Sequence, residues 1–127
     1  MKIYGIGTDI ANVNRIKISL KKKNFINRIF NKIEIKKCSS QMNKANCFAK
    51  RFAAKEAFSK ALGTGISGGI NFNEIVIHNI RSGKPKIKLE GKTRKIVNKI
   101  FNKKRFNIFL SLSDDKPFAV ATIVISV

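Results

Sequence analysis

Acidic side chains are scarce in this chain, so each one is a candidate for chemistry. Twenty-seven Lys and Arg residues face seven Asp and Glu residues, which gives a formal net charge of +20 at pH 7. Asp9 ends an apolar, glycine-containing run, and Glu56 lies in an alanine-rich run with Lys60 four residues later. Mg²⁺ is usually held by one or two carboxylates together with substrate phosphate oxygens, and lysine carries remaining phosphate charge. These three residues therefore indicate magnesium–phosphate chemistry.

A simpler interpretation of Glu56 and Lys60 stays open at this point. Glutamate four residues before lysine stabilises a helix by a few tenths of a kcal/mol without any ligand. The glycine-rich loop "GTGISGGI" from Gly63 to Ile70 is a further place where backbone could approach a ligand closely. It does not match the P-loop, and "GIGTD" is not a dinucleotide fingerprint. Residue types and spacing alone thus leave the substrate open.

These side chains must be positioned by an α+β fold with a largely antiparallel sheet and one long central helix. Alternation and turn residues predict strands, and helical spacing of apolar residues predicts helices. Lys44–Leu62 is the clearest helix, because it is alanine-rich, free of Gly and Pro, and followed by Gly63. The other expected elements are a strand over 2–10, two short helices within 14–30, strands over 72–80 and 84–90 with a turn at Gly91, a helix over 92–104, and a hairpin over 106–127 around "SDDKP".

Length and composition predict one domain over residues 1–127, since 127 residues with 43% apolar content suit a single hydrophobic core. The start lacks the pattern of a secretory signal, and no apolar run approaches the ~20 residues needed to span a bilayer. We therefore expect a cytoplasmic protein with no membrane partner. Cys38 and Cys47 match no zinc or redox motif, and we expect two reduced thiols. The single His78 lies in a strand pattern and is interpreted as structural.

The charge of +20 makes an anionic partner the first hypothesis, although Lys, Asn, Ile and Phe are all overused, as A/T-rich codons would produce. A small basic nucleic-acid-binding protein is the alternative from another class. The chain contains no aromatic RNA-binding signature and no recognisable DNA-reading motif, which makes nucleic acid the less favoured partner.

Four segments resemble one known family. They are "GIGTDI" at Gly5–Ile10, "RFAAKEAFSKALGTGI" at Arg51–Ile66, "GKP" at Gly83–Pro85 and "SLSDD" at Ser111–Asp115. In this order and spacing they resemble the holo-acyl-carrier-protein synthases of the 4'-phosphopantetheinyl transferase superfamily. The resemblance covers essentially the whole chain. It implies the fold of that superfamily and transfer of the 4'-phosphopantetheine arm of coenzyme A to a serine of apo acyl carrier protein, with release of adenosine 3',5'-bisphosphate, as a step of fatty acid biosynthesis.

The resemblance also implies residue roles. Asp9 and Glu56 match the family's magnesium ligands, and Lys60 matches the lysine near the coenzyme A pyrophosphate; we expect these three to be catalytic. The predicted coenzyme A pocket comprises Arg51, Lys55, Lys60, Gly83, Lys84, Pro85 and Ser113. Arg51 points away from Glu56 on a helical wheel, so we expect it at a subunit boundary or on a different phosphate. Arg15 and Phe25 are expected to meet the carrier protein, and short family members imply a homotrimer.

One departure from the family pattern concerns the last motif. The family usually carries His where this chain has Asp114. An anion beside a phosphorylated nucleotide should repel it unless a lysine or the metal compensates. A homologue that binds carrier protein or coenzyme A without turnover is therefore a third hypothesis, although Asp9, Glu56 and Lys60 are all present.

Overall fold

A computed structural model of the chain describes residues 1–64 and 68–127. Its elements, in chain order, are β1 (Ile3–Asn12), α1 (Val13–Ser19), α2 (Lys23–Ile29), α3 (Lys32–Ser39), α4 (Lys44–Leu62), a 3₁₀ turn (Phe72–Glu74), β2 (Ile75–Asn79), β3 (Pro85–Leu89), α5 (Gly91–Ile100), β4 (Asn107–Asp115) and β5 (Phe118–Ser126). The predicted α+β class is confirmed. Part of the predicted glycine-rich loop, residues 65–67, lies outside the described residues.

The strands form two separate antiparallel sheets. One sheet has the order β1-β5-β4, and the other pairs β2 with β3. In the larger sheet Asp9 lies opposite Ala121, which lies opposite Leu112 on the other side. The prediction of antiparallel pairing is therefore correct, but the strands are divided between two sheets.

The long helix α4 packs across β1 and β5 and forms the centre of the core. Its buried face consists mainly of small residues, and two glycines of β1 let the backbones approach closely. A Cβ atom on Gly5 would lie 1.9 Å from the carbonyl oxygen of Ala61, and one on Gly7 would lie 1.9 Å from that of Ala57. Gly63 ends α4 with a left-handed φ of 82°, the usual glycine cap of a helix. The predicted bounds of this helix match the structure.

The helical region before α4 contains one helix that the sequence analysis did not predict. The two short helices expected within residues 14–30 are α1 and α2, whereas α3 was missed. This short helix begins with a capping box, in which Asn31 accepts from the Ile33 backbone amide and Glu34 accepts from the Asn31 backbone amide. The spacing of Asn31 and Glu34 was the signal that could have revealed it.

The expectation of two reduced thiols is wrong in this structure. Cys38 at the end of α3 and Cys47 in the first turns of α4 form a disulfide, with Cα atoms 5.4 Å apart. The two helices lie side by side, so residues separated by nine positions meet across the connecting loop. Sequence spacing carries no information about this contact because it depends on how the helices pack.

The C-terminal third agrees with the sequence analysis apart from element ends. Helix α5 begins at Gly91, where a turn was predicted, and ends at Ile100, four residues before the predicted end. Asn102 and Lys103 follow with positive φ angles of 52° and 61°, which is incompatible with continued helix. Strands β4 and β5 form the predicted hairpin. Within the described residues, no helix combines the length and the apolarity needed to cross a membrane.

Candidate active site

Asp9 and Lys60 are joined directly in the structure. Asp9 lies near the end of β1, on the face that packs against α4, and its side chain is 13% exposed. The Lys60 ammonium donates to Asp9 Oδ1 at 2.8 Å and to the Thr8 carbonyl oxygen at 3.0 Å. Because Lys60 sits one turn after Glu56 on α4, the contact brings the basic residue and both predicted carboxylates to one place.

Glu56 is affected electrostatically by its neighbours. Partial burial and then the charge of Asp9 raise the pKa of the Glu56 carboxyl, while Lys60 opposes that shift. Hydrogen bonding to Asp9 raises the pKa of Lys60, so the ammonium stays charged. The carboxylates of Asp9 and Glu56 are close enough to repel each other, and a bound cation would reduce that repulsion.

The donor set fits a hard divalent cation that shares its coordination with a substrate. In the described part of the chain, no cluster of three or more His, Cys, Asp or Glu side chains is arranged to hold a metal ion. Asp9 and Glu56 supply two carboxylates, which is the number that Mg²⁺ commonly takes from protein when phosphate oxygens and water supply the rest.

Glu56 also lines an open cleft of about 480 Å³ with an apolar wall, which we call the Glu56 cleft. Phe25, Phe52 and Phe72 contribute to this wall, and Arg28 lies at its edge. Phe25 and Phe52 are in ring contact, with centroids 6.0 Å apart. The structure thus places Phe25, a predicted carrier-docking residue, in the same cleft as Glu56, a predicted catalytic residue.

A second cleft, of about 540 Å³, brings together three of the residues predicted for coenzyme A binding: Arg51, Gly83 and Pro85. Arg51 Nη2 donates to Asn79 Oδ1 at 3.1 Å, and Asn79 Nδ2 donates to the Gly83 carbonyl oxygen at 2.8 Å. We call this the Arg51 cleft. Arg51 precedes Glu56 by five residues, or about 7.5 Å along the helix axis.

Arg51 is 5% exposed and incompletely satisfied. Its Nη1 donates to the Cys47 carbonyl oxygen at 3.3 Å and to the Cys47 sulfur at 3.2 Å. Burial lowers the pKa of the guanidinium, and Glu34 opposes that effect. Its buried Nε has no hydrogen-bond partner among the described residues. Arg51 and Lys50 both line the Arg51 cleft, and two cationic side chains in one lining suit an anionic ligand.

Asp114, which replaces the family's usual His, has the compensating lysine that the sequence analysis required. Lys50 Nζ lies 3.3 Å from Asp114 Oδ1, and Lys50 itself lines the Arg51 cleft. The carboxylate is therefore paired with a cation rather than presented alone to an incoming anion.

Lys55 occupies a different environment from the one predicted. Its ammonium is fully buried and donates to Glu34 Oε1 at 2.7 Å and to the carbonyl oxygens of Phe72 and Ile75. These three contacts use all three donors of a lysine, so none is left for a phosphate oxygen. Its partner Glu34 is likewise 0% exposed.

The remaining predicted residues lie on exposed surfaces. Lys84 is exposed beside Gly83, and its carbonyl oxygen accepts from the Ile80 amide at 3.0 Å. Ser113 is exposed next to Leu112 on β4, so it points to the opposite face of the sheet from the Arg51 cleft. Arg15 is exposed in the first turn of α1, directly after the strand that carries Asp9.

Known proteins of one family are similar to this chain over nearly its whole length. Residues 5–123 match the family model of the 4'-phosphopantetheinyl transferase superfamily. The chain is 48% identical to a holo-[acyl-carrier-protein] synthase of Pelagibacter ubique over 125 residues, which is 98% of each chain. It is also 48% identical to the synthase of Zymomonas mobilis, covering 97% of this chain and 96% of the relative.

Solved structures of similar proteins share the fold. A holo-[acyl-carrier-protein] synthase from Neisseria meningitidis is 36% identical, with a TM-score of 0.82 and 98% coverage of both chains. A synthase from Bacillus anthracis, solved in complex with CoA (3',5'-ADP), is 35% identical with a TM-score of 0.79, covering 98% of this chain and 97% of that one. The family resemblance stated from the motifs is confirmed. Joined to these matches, the Asp9–Glu56–Lys60 cluster shows that the chain belongs to the 4'-phosphopantetheinyl transferase superfamily, among its holo-[acyl-carrier-protein] synthases.

Proposed function

We propose that this chain transfers the 4'-phosphopantetheine arm of coenzyme A to a serine hydroxyl of apo acyl carrier protein, releasing adenosine 3',5'-bisphosphate. The observation that carries the proposal is the contact of Lys60 with Asp9 beside Glu56, at the meeting point of β1 and α4. A transfer at phosphorus needs mainly positioning and neutralisation of charge, and this cluster can supply both.

Lys60 is the residue we assign to the pyrophosphate. Its side chain is 54% exposed, so it can reach a ligand, and its contacts with Asp9 and Thr8 direct it toward the carboxylates. In the described part of the chain these contacts use two of its three donors, leaving one for a phosphate oxygen. The raised pKa of Lys60 keeps it cationic at neutral pH.

Asp9 and Glu56 are the residues we assign to Mg²⁺. When bound, the ion would neutralise charge that develops on the pyrophosphate during transfer. The carboxylates also have a role of their own, because Glu56 lies in the cleft that a carrier serine would enter. There Glu56 can accept a hydrogen bond from the serine hydroxyl or from an intervening water, which orients the nucleophile.

The Arg51 cleft is the proposed site for the nucleotide end of coenzyme A. The cationic Arg51 lines this cleft together with Gly83 and Pro85, and Lys84 lies between those two residues in the chain. The Bacillus anthracis relative binds CoA (3',5'-ADP), which supports the same ligand here. Because Lys55 has no donor left, we leave it out of this site. Ser113 would join the site only from another subunit.

The carrier protein is proposed to dock on α1 and α2. Arg15 is exposed on α1, and Phe25 on α2 forms part of the Glu56 cleft, with Arg28 at its edge. Carrier proteins are acidic, so a basic surface next to an apolar cleft is complementary in charge and would speed encounter.

We further propose a homotrimer, which is supported by an exposed apolar face on the larger sheet. Ile6, Ile10 and Phe109 are 61%, 60% and 48% exposed on that face. Ile6 and Phe109 both lie opposite Val124, so they form one cross-strand row. An apolar sheet face of this kind is normally covered by another layer.

A cytoplasmic location also stays a proposal. The Cys38–Cys47 disulfide is a bond type that is uncommon in that compartment. Intact-mass measurement of the protein isolated under alkylating conditions, which adds one label to each free thiol, addresses the disulfide, and cell fractionation addresses the location.

The first experiment is to mix the purified chain with coenzyme A, Mg²⁺ and an apo acyl carrier protein and to measure the intact mass of the carrier. We expect a gain of one phosphopantetheine that disappears when a chelator is added. An Asp9→Asn variant is the matched control and should give no gain. Coenzyme A binding without mass gain on several carriers would instead favour a non-catalytic binding homologue, and absence of coenzyme A binding would return nucleic acid to consideration.

A further inference from the structure

A buried ion pair lies directly behind the Glu56 cleft. Lys55 and Glu34 are both 0% exposed, and Lys55 Nζ lies 2.7 Å from Glu34 Oε1. Lys55 immediately precedes Glu56 on α4, but its side chain points in the opposite direction, into the interior. Its ammonium also lies 5.7 Å from the centre of the Phe30 ring.

The pair holds both ends of the 3₁₀ turn at Phe72–Glu74. Lys55 donates to the carbonyl oxygen of Phe72 at the start of that turn, and to the carbonyl oxygen of Ile75 directly after it. Glu34 Oε2 accepts from the Ile77 amide at 3.0 Å, one step further along β2. A single side-chain pair therefore anchors the chain from Phe72 to Ile77 against α3 and α4.

This anchored segment forms one wall of the Glu56 cleft. Phe72 and Asn73 line the cleft together with Phe25 and Arg28 of α2. The turn also contacts the helical region before α4, because Asn31 Nδ2 donates to the Asn73 carbonyl oxygen at 3.1 Å. Movement of the 3₁₀ turn would consequently change the shape of the cleft.

Stability alone is a weak reason for such a pair. Burying two charges costs free energy, and apolar replacements of similar volume are often neutral or stabilising. The cost is visible in Lys55, since burial lowers its pKa from 10.5 to about 8 although Glu34 opposes the shift. What an apolar pair could not supply is directional hydrogen bonding to two chosen carbonyl oxygens.

We propose that Lys55, together with Glu34, is a positioning residue for carrier-protein recognition: it sets the place of the Phe72–Glu74 turn and thereby the shape of the Glu56 cleft. This inference rests on the proposed function, in which the carrier serine enters that cleft. Lys55 acts through the turn and touches neither substrate.

The two-cleft arrangement predicts a selective effect. The turn lines the Glu56 cleft, whereas the Arg51 cleft is lined by residues of α3, the loop before α4, α4, the β2–β3 region and β4. Loosening the turn should therefore weaken the binding of the carrier protein and leave the binding of coenzyme A nearly unchanged. A general loss of folded protein would affect both substrates to the same degree.

The test compares the double variant Glu34→Gln/Lys55→Met with Ile125→Ala. Ile125 is 0% exposed on β5 and lines neither cleft, so Ile125→Ala lowers stability without changing a contact of the turn and is the matched control. The double variant removes both charges and leaves the carbonyl oxygens of Phe72 and Ile75 without their donor. Steady-state kinetics with each substrate varied, coenzyme A Kd by calorimetry and Tm are measured for all forms.

In the double variant we expect the KM for the carrier protein to rise about tenfold, following the loss of orienting contacts, while the coenzyme A Kd stays within about twofold of the wild-type value. Ile125→Ala should lower Tm and retain a near-wild-type KM for the carrier protein. The proposal would be overturned by a folded double variant whose KM for the carrier protein is unchanged. It would also be overturned if the KM for the carrier protein and the Kd for coenzyme A rose by the same factor. Wild-type turnover measured alongside reports separately on the proposed function.

A second variant keeps the test decisive if the double variant does not fold. Glu34→Gln/Lys55→Gln also leaves no buried charge unpaired, and the amide at position 55 can still donate to one of the two carbonyl oxygens. We expect a smaller rise in the KM for the carrier protein with the same unchanged coenzyme A Kd. A wild-type KM for the carrier protein in this variant would contradict the assignment.

Discussion

Glu56 is held in a position that is unfavourable for its own charge. Partial burial and the neighbouring charge of Asp9 both raise the pKa of its carboxyl, and Lys60 offsets only part of this effect. Residues selected for catalysis often occupy positions that lower stability, and their replacement can stabilise the fold while activity is lost. Under the proposed function Glu56 has this character, because a bound cation would offset the charge of Asp9 beside it.

We predict that Glu56→Gln lowers transfer activity by about 100-fold or more, as expected when an electrostatic group at a transfer site is removed, and raises Tm at neutral pH in the presence of a chelator. The folded carboxyl has a pKa above its ordinary value of 4.5, so the folded state binds more protons than the unfolded state between these two values. The free energy of unfolding of the wild-type protein therefore falls as pH rises through this window. The variant does not lose this stability, because its amide does not titrate.

The Tm difference between Glu56→Gln and the wild-type protein should accordingly vanish once the pH falls below the ordinary value. Thermal unfolding across an acidic to neutral pH series checks this expectation. Glu90→Gln makes the same chemical change outside the candidate site and serves as the control. A variant that turned over at the wild-type rate, or that lost stability at neutral pH, would contradict the assignment of Glu56.

The position of α4 against β1 controls the geometry of the site. Gly5 and Gly7 alternate along β1 on the face that packs against α4, and the helix carbonyl groups occupy the space where side chains would be. This close approach brings Asp9, two residues further along the same face, within hydrogen-bonding distance of Lys60. The glycines in "GIGTDI" therefore have a packing role that is linked to the site.

Gly7→Ala should destabilise the protein by about 3 kcal/mol or more, because the new methyl group would overlap the Ala57 carbonyl oxygen of the helix backbone and force the two elements apart. Gly63→Ala is the control: its Cβ has open space, so only the left-handed φ costs free energy, about 1 kcal/mol. Urea unfolding monitored by circular dichroism measures both. Equal losses in the two variants would show that contact with α4 is not the cause.

The whole molecule combines a high positive charge with an uncovered apolar sheet face. One face of the β1-β5-β4 sheet packs against α4, and the other exposes Ile6, Ile10 and Phe109. The net charge of +20 would oppose association of identical chains, so an assembly needs a substantial apolar contact. This face is the surface that could supply it.

Ile6→Glu should convert the proposed trimer into monomers, because it places a carboxylate in the centre of the apolar face. Ile33→Glu is the matched control, since Ile33 is 51% exposed on α3, away from the sheet. Light scattering coupled to size-exclusion chromatography gives the mass of each form. A monomeric wild-type protein, or a trimeric Ile6→Glu variant, would contradict the proposed interface.

The sequence by itself predicted most of the local elements and the family, and it indicated the candidate reacting groups. Alanine-rich composition and a following glycine were sufficient to predict α4, because helix propensity and capping are local properties. The motifs around Asp9 and Glu56 were sufficient to indicate the family. Scarcity of acids in a basic chain drew attention to the same two residues before any resemblance was considered.

Only the tertiary structure decided which residues share an environment. Lys55 and Lys60 stand five positions apart on one helix, yet one is buried against Glu34 and the other is exposed beside Asp9. The Cys38–Cys47 disulfide and the pairing of Lys50 with Asp114 could not be predicted from the sequence either. Each depends on how distant segments pack, and a side chain's charge or spacing does not reveal which partner folding will bring to it.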